Sequence, residues 1–331
     1  MMPNRRRDFL LDSTAVLLLV PLLLVPFVTS SPLFHSLTYQ VAIGVSAAMG
    51  VYIMLRMGLL SFTVPAFMAI GGYAAAMLAK SGTTELLLLM GISILAPCVV
   101  AIPLGALVLR LKGVYFIFIT FIFNEILQLV LFETPTLTGG SNGIAGVPPA
   151  SLFGMTLGKP ATLVAVTVFV CIAAAGGTLI VTQRFRPEFT AIEENETLAE
   201  SLGVAVWKFR TIGFVVSAGV CGLAGFALVN MLSTAHPSSF ASWSVNSYIA
   251  YVFVGGRSTL LGVVVGSALL IVMMNVFSSY ADLSAGLFGI LLVAVMMIAP
   301  GGIVGSCMRL WARRRQRDPN PVQPQVGVTK S

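Results

Sequence analysis

Charge is scarce in this chain, and what there is sits at the ends of long apolar runs. Only 19 Lys+Arg and 12 Asp+Glu are spread over 331 residues. Soluble domains carry roughly a quarter of their residues as charges, which cover the surface, against 9% here. With 57% apolar residues, this excludes a soluble enzyme, a disordered chain and a secreted disulfide scaffold. An all-α, polytopic transmembrane helical protein remains. The formal net charge of +7 belongs to helix ends in a bilayer. It is not interleaved with aromatics as in a nucleic-acid surface. Cys98, Cys171, Cys221 and Cys307 lie in or beside apolar runs without metal-ligand spacing, and read as small buried side chains.

A helical crossing takes about 20 apolar residues. Candidate runs fall near 12–32, 39–57, 63–80, 86–109, 113–132, 160–182, 209–232 and 284–306. The first follows Arg5-Arg6-Arg7 and resembles a leader. It is long for a leader, contains Pro21 and Pro26, and lacks an A-x-A site, so a retained helix is expected. The stretch 245–278 is too long for one crossing and holds Gly255-Gly256-Arg257-Ser258. A helix breaks readily there, giving segments near 245–256 and 260–278, the first spanning or re-entrant. That makes about ten membrane segments, including broken or re-entrant helices.

The basic residues test this count. With a cytoplasmic N-terminus and ten segments, only Lys80 and Lys159 of the 19 Lys+Arg fall outside. That is a strong positive-inside bias. Without the break at Gly255-Gly256, the Arg309–Arg317 cluster would fall outside. The expected organisation is a basic cytoplasmic N-terminus (1–11), a membrane domain (12–308) with a polar cytoplasmic loop at about 183–208, and a basic, then disordered, cytoplasmic tail (309–331). There is no GxxxxGK[ST] phosphate loop.

Four stretches interrupt the apolar pattern. In the loop 183–208, AIEENETLAESL from Ala191 to Leu202 predicts a short amphipathic helix stopped by Gly203. Being acidic, it suits a protein partner better than the negative inner leaflet. In the outer loop 133–159, Gly139 and Gly140 permit tight turns. That loop is either an ordered re-entrant segment or a gating or partner-contacting one. Within the run 113–132, Asn124, Glu125 and Gln128 are polar at membrane depth. Glu125 is either a structural hydrogen-bonding centre or part of a solute path. Arg56, at a helix end, reads as snorkelling. Finally, Gly58, Ser61 and Pro65 in one half, and Gly255 and Gly256 in the other, suggest irregular backbone at membrane depth. Such a pair of interruptions points to a translocation path. His35 and His236 lack metal-ligand companions, and no nucleophile–base–acid set is visible.

Five stretches together resemble a known family: GLLSFTVPAFMAIGGYAAAML from Gly58, RLKGVYFIFITFIFNEI from Arg110, LTGGSNGIAGVPP from Leu137, AIEENETLAESLGV from Ala191 and FVGGRSTLLGVVVGSALL from Phe253. Over about 40–305 the chain is similar to the LivM-type permease subunits (LivH/LivM-like) of branched-chain amino-acid ABC importers. The resemblance implies an inner-membrane subunit paired with a second, related permease, two cytoplasmic ATP-binding subunits and an external solute-binding protein. It implies no cofactor in this chain, since ATP-Mg is bound by the partner ATPases, and no enzymatic chemistry of its own. It makes Ala191, Glu194, Asn195, Glu196, Ala199, Glu200, Leu202 and Gly203 the ATPase-coupling loop. Ser61, Pro65, Asn124, Glu125, Gln128, Gly139, Gly140, Gly255 and Gly256 stand as path candidates. Some positions depart from the resembled pattern. Glu193 stands where a basic residue is usual, Val64 and Pro65 where the first motif has a different pair, and Gly255-Gly256-Arg257-Ser258-Thr259 where GGxGS is usual. Related permeases carry urea, short amides or other small solutes, so those stay open beside branched-chain amino acids. An ion-coupled secondary transporter is the other class. The expected surroundings are lipid and protein, with no nucleic acid.

Overall fold

Prolines and glycines punctuate the apolar runs, and the helices begin and end at them. The computed structural model describes residues 5–28, 31–277 and part of 286–307. Helices α1 (Arg5–Leu19) and α2 (Val25–Val28) flank a 3₁₀ turn at Pro21–Leu23. The single helix expected over 12–32 is therefore corrected to a broken one. Pro21 and Pro26 lack the N–H that an unbroken helix would need. Next come α3 (Pro32–Leu55), α4 (Val64–Lys80), α5 (Leu86–Val108) and α6 (Val114–Glu133). Pro32 and Pro65 occupy first-turn positions, where the missing N–H costs nothing. After the short α7 (Pro135–Thr138) come α8 (Pro160–Arg184), α9 (Arg186–Glu194), α10 (Glu196–Ser201), α11 (Val206–Leu232), α12 (Ser244–Gly255) and α13 (Leu260–Phe277).

Six of these, α3, α5, α6, α8, α11 and α13, are long and apolar enough to cross a membrane. The expected count of about ten is not reached among the described residues. It drew on the broken first run, the 17-residue α4 and the 12-residue α12. It also drew on 284–306, which lies mostly outside the described residues, as does the tail 309–331.

At the centre, α3 and α11 have 83% and 78% of their apolar windows buried, whereas α6 has 22%. The core is thus built on α11, which packs against α3, α4, α5 and α8. Close approach there depends on glycine. A methyl on Gly222 would lie 1.9 Å from the Ser93 carbonyl oxygen, and one on Gly225 1.8 Å from that of Met68. Small residues at such crossings let backbones touch, which drives helix association in lipid. Hydroxyls inside these helices donate to the carbonyl four residues back, as Ser46 does to Ala42, Ser93 to Leu89 and Thr178 to Ala174. That keeps them satisfied without water.

The break at Gly255-Gly256 is as expected from the sequence. Gly256 has φ +118°, and a methyl on Gly255 would lie 1.8 Å from the Gly262 carbonyl oxygen. The two half-helices therefore pack as a tight pair. The Leu260 N–H, which opens α13, donates to the Asp12 carboxylate at 2.7 Å, and Asp12 also accepts from Gln183. The N-terminal helix thus caps the second half-helix.

Two ends can be distinguished. One carries Arg56, Lys112, Arg210, Arg257 and the α9–α10 loop, joined by ion pairs. At the other, β1 (Ile144–Ala145) pairs antiparallel with β4 (Thr234–Ala235), with Ile144 opposite Ala235. A small hairpin of β2 (Ser151–Leu152) and β3 (Met155–Thr156) sits beside it, and the Ser151 N–H donates to the Thr84 carbonyl at 2.7 Å. The loop expected at 133–159 is thus an ordered one, stitched to the α4–α5 and α11–α12 links.

Candidate functional site

The acidic loop at the basic end is two helices, not the one expected over 191–202. Asn195 is extended (φ −159°), and its side chain accepts from the Leu198 N–H at 3.1 Å, capping α10. Asn is a good cap and a poor helix interior, so the break falls there. Ile192, Ala199 and Val206 close a small buried cluster under the bend. Gly203, with φ +86°, turns the chain into α11. Its conformation is one that other residues rarely adopt.

Two carboxylates fasten this loop to the membrane helices. Glu196 accepts two hydrogen bonds from Arg210 of α11, at 2.8 and 3.0 Å, and pairs with Lys112 at 3.2 Å. Burial pushes the Glu196 carboxyl up, but the Arg210 and Lys112 charges outweigh it and hold it below its ordinary 4.5. Glu193 pairs with Arg257, in the link between the half-helices, at 3.5 Å, and with Arg56 at 3.9 Å. Arg56 also donates to the Thr190 hydroxyl at 3.3 Å. Arg56 therefore holds the loop rather than merely reaching for the interface. Glu193, where the resembled pattern has a basic residue, is matched here by two arginines.

What this leaves outward is specific. Glu194, Glu200, Leu198, Leu202 and Gly203 are exposed, with Leu202 75% and Leu198 56% exposed, while Ala199 is buried and Ala191 half-buried. Of the residues expected to face a partner, Ala199 is buried and Glu196 fastens the loop, while Asn195 caps α10 and is itself exposed.

A second feature lies along α6. A cavity of about 550 Å³ is lined by Phe62, Phe121, Glu125 and Gln128 on one side, and by Ser238, Ala241, Ser242, Trp243, Val245 and Asn246 on the other. The second set includes a non-helical stretch leading into α12. Ser242 donates to Gln128 at 3.0 Å, and Phe240 beside it is buried against Tyr73 at 6.1 Å between ring centroids. Irregular backbone between apolar helices is tolerated where it is covered by protein or lines a polar cavity. Glu125 itself is exposed, on a face shared with Phe121, Ile122 and Leu129.

The other path candidates sit elsewhere. Ser61 is buried and hydrogen-bonded to Thr63 at 2.8 Å, and Pro65 is buried in the first turn of α4. Asn124 is buried, and its amide nitrogen has no hydrogen-bond partner among the described residues. Gly139 and Gly140, with φ +78° and +60°, form the turn after α7, and Gly255 and Gly256 form the half-helix break. Only Glu125 and Gln128 line the cavity. Reading the sequence missed Phe62, Trp243 and Asn246, although SSFASWSVN from Ser238 is a polar interruption that marked the place. It also missed Arg56, Lys112, Arg210 and Arg257, which flank apolar runs and so resemble ordinary orientation signals.

A multi-pass helical bundle with a broken helix, and a cavity walled by aromatic and polar side chains, fits a membrane permease. The chain belongs to the family described as "Branched-chain amino acid transport system / permease component", whose profile matches residues 33–300. It is similar to the high-affinity branched-chain amino acid transport system permease protein LivM of Salmonella typhimurium (strain LT2) and to that of Escherichia coli (strain K12). Each is 26% identical over 271 residues, covering 75% of this chain. The chain aligns with 64% of the length of these curated relatives. No solved structure matches.

Proposed function

We propose that the chain is the membrane-spanning permease subunit of an ATP-binding-cassette importer for branched-chain amino acids or a similar small polar solute, in a bacterial inner membrane with both termini cytoplasmic. A second, related permease completes the path. Two ATPase subunits, which bind ATP-Mg, sit below, and an external binding protein delivers the solute. The observation that carries this reading is the α9–α10 loop: an acidic, partly apolar surface fastened from behind by Glu193 and Glu196. A loop built only to connect α8 to α11 has no need of such fastening.

The fastening supplies a mechanism. ATP-driven closure of the ATPases pushes on Glu194, Leu198, Glu200 and Leu202. Glu193 passes that movement through Arg257 to the half-helix link, and α12 carries Val245 and Asn246 of the cavity wall, with Trp243 at its N-cap. Discrete rearrangement of packed elements about such a link is how permeases alternate their openings. The test is uptake driven by ATP in proteoliposomes holding the assembled complex. Glu194→Lys with Glu200→Lys should sever ATP hydrolysis from uptake while the complex still inserts. Normal coupled uptake by that variant overturns the docking assignment. The carboxamide-carrying relatives of this transport class are separated by the same assay, with a neutral short amide as competing solute.

A further inference from the structure

The cavity along α6 holds the one carboxylate on the central part of that helix, and among the described residues no cation pairs with it. Among the described residues Glu125 is the only charged group lining the cavity, with no Lys, Arg or His on its wall. A lone carboxylate in a membrane segment is costly unless a counter-charge or water meets it. The rest of the wall is divided. Phe62 and Phe121 meet edge to face, with ring centroids 6.2 Å apart, and with Val245 they offer an apolar surface. Gln128, Ser238, Ser242 and Asn246 offer amides and hydroxyls. Few polar groups in a mostly apolar concavity is the usual make-up of a small-molecule site.

We propose that this cavity is a recognition site for a primary ammonium group on a small solute with a short apolar body, with Glu125 as the counter-charge. The ammonium donates to the Glu125 carboxylate, and the aromatic walls at Phe62 and Phe121 take the apolar body. The same rings add a cation-attracting face. A carboxylate on the solute, if it has one, meets the Asn246 amide, since the Ser238 hydroxyl is hydrogen-bonded to the His236 ring at 2.6 Å. The cavity volume of about 550 Å³ accommodates such a solute. A neutral amide would leave Glu125 without a partner, so the site discriminates between the two solute classes. The proposal deepens the transport reading above, but its first test does not depend on it.

That test is protection of Glu125 from dicyclohexylcarbodiimide in the full complex, read by mass spectrometry of the modified peptide. L-leucine and isopentylamine should both protect, whereas 4-methylpentanoate and 4-methylpentanamide, which lack the ammonium, should not. Equal protection by all four, or by none, overturns the site. The second arm is ATP-driven uptake of L-leucine. Glu125→Gln should raise its KM about tenfold, the loss expected of one charge-assisted contact, and Glu125→Asp should recover most of it. An unchanged KM in Glu125→Gln also overturns the site. Selective protection without ATP-driven uptake by the wild type would keep the site and remove the importer reading. Uptake without selective protection would do the reverse.

Discussion

Replacing Glu196 by Ala tests the idea that the α9–α10 loop is held in place for use. In the native chain Arg210 has an 8% exposed side chain and makes two short bonds to Glu196, which is 19% exposed. Removing one member of a fully buried pair costs about 3–5 kcal/mol, because the other charge is left without a partner. Exposed pairs contribute about 0.2–1 kcal/mol. This pair lies between the two cases and Lys112 adds a weaker contact, so about 2 kcal/mol is a reasonable magnitude. At 1.36 kcal/mol per factor of ten, that is about a 30-fold rise in the population of the detached loop. Amide hydrogen exchange reads this directly. Protection at 196–204 should fall about 30-fold, while α3 and the centre of α11 keep theirs. Removing both charges, as Glu196→Leu with Arg210→Met, should restore much of the protection, since no unpaired charge remains. Unchanged exchange in Glu196→Ala would refute the argument. So would a loss spread evenly over the whole bundle.

Further outcomes follow from other contacts. Glu196 titrates below its ordinary 4.5 in the folded protein, so its contribution is present above that value and lost as pH falls through the lower folded value. A spin label at exposed Ser201→Cys should therefore become mobile as pH drops below about 4.5, and Glu196→Gln should abolish that step. Gly222→Ala places a methyl 1.9 Å from the Ser93 carbonyl oxygen, which forces α5 and α11 apart at a cost of about 3 kcal/mol, seen as lost thermal stability of the purified protein. Asp12→Ala removes the cap on the Leu260 N–H and should lower stability by about 1 kcal/mol, whereas Asp12→Asn, which keeps an acceptor, should lower it less. Arg257→Glu faces Glu193 with a like charge. It should reduce uptake more than ATP hydrolysis, measured side by side in proteoliposomes.

Much of the helical layout was legible because apolar run length and Pro or Gly punctuation are local properties. The positions of α4, α5, α6, α8 and α13 follow from them within a few residues, as does the break at Gly255-Gly256. The break at Asn195 was not seen, because helix formers on either side favour continuity and only capping by its side chain reveals the bend. The roles of Arg56 and Arg257 could not be read locally. Their partner Glu193 lies on a separate element, and a basic residue at a helix end has an ordinary orienting role to fill. The side of α6 that carries Glu125 was likewise hidden. Its neighbours Ile122 and Ile126 are as apolar as core residues, and only packing decides that they face outward. At the N-terminus, helix α1 begins at Arg5 rather than after the basic cluster.

The orientation of one loop carries the whole account, and a single labelling measurement tests it. In a background with all four native cysteines replaced, Thr197→Cys places an exposed thiol on α10. A membrane-impermeant maleimide should label it in inverted membrane vesicles and leave it untouched in intact cells. Labelling in intact cells would put the loop on the outer face, where no ATPase can reach it, and would contradict the account.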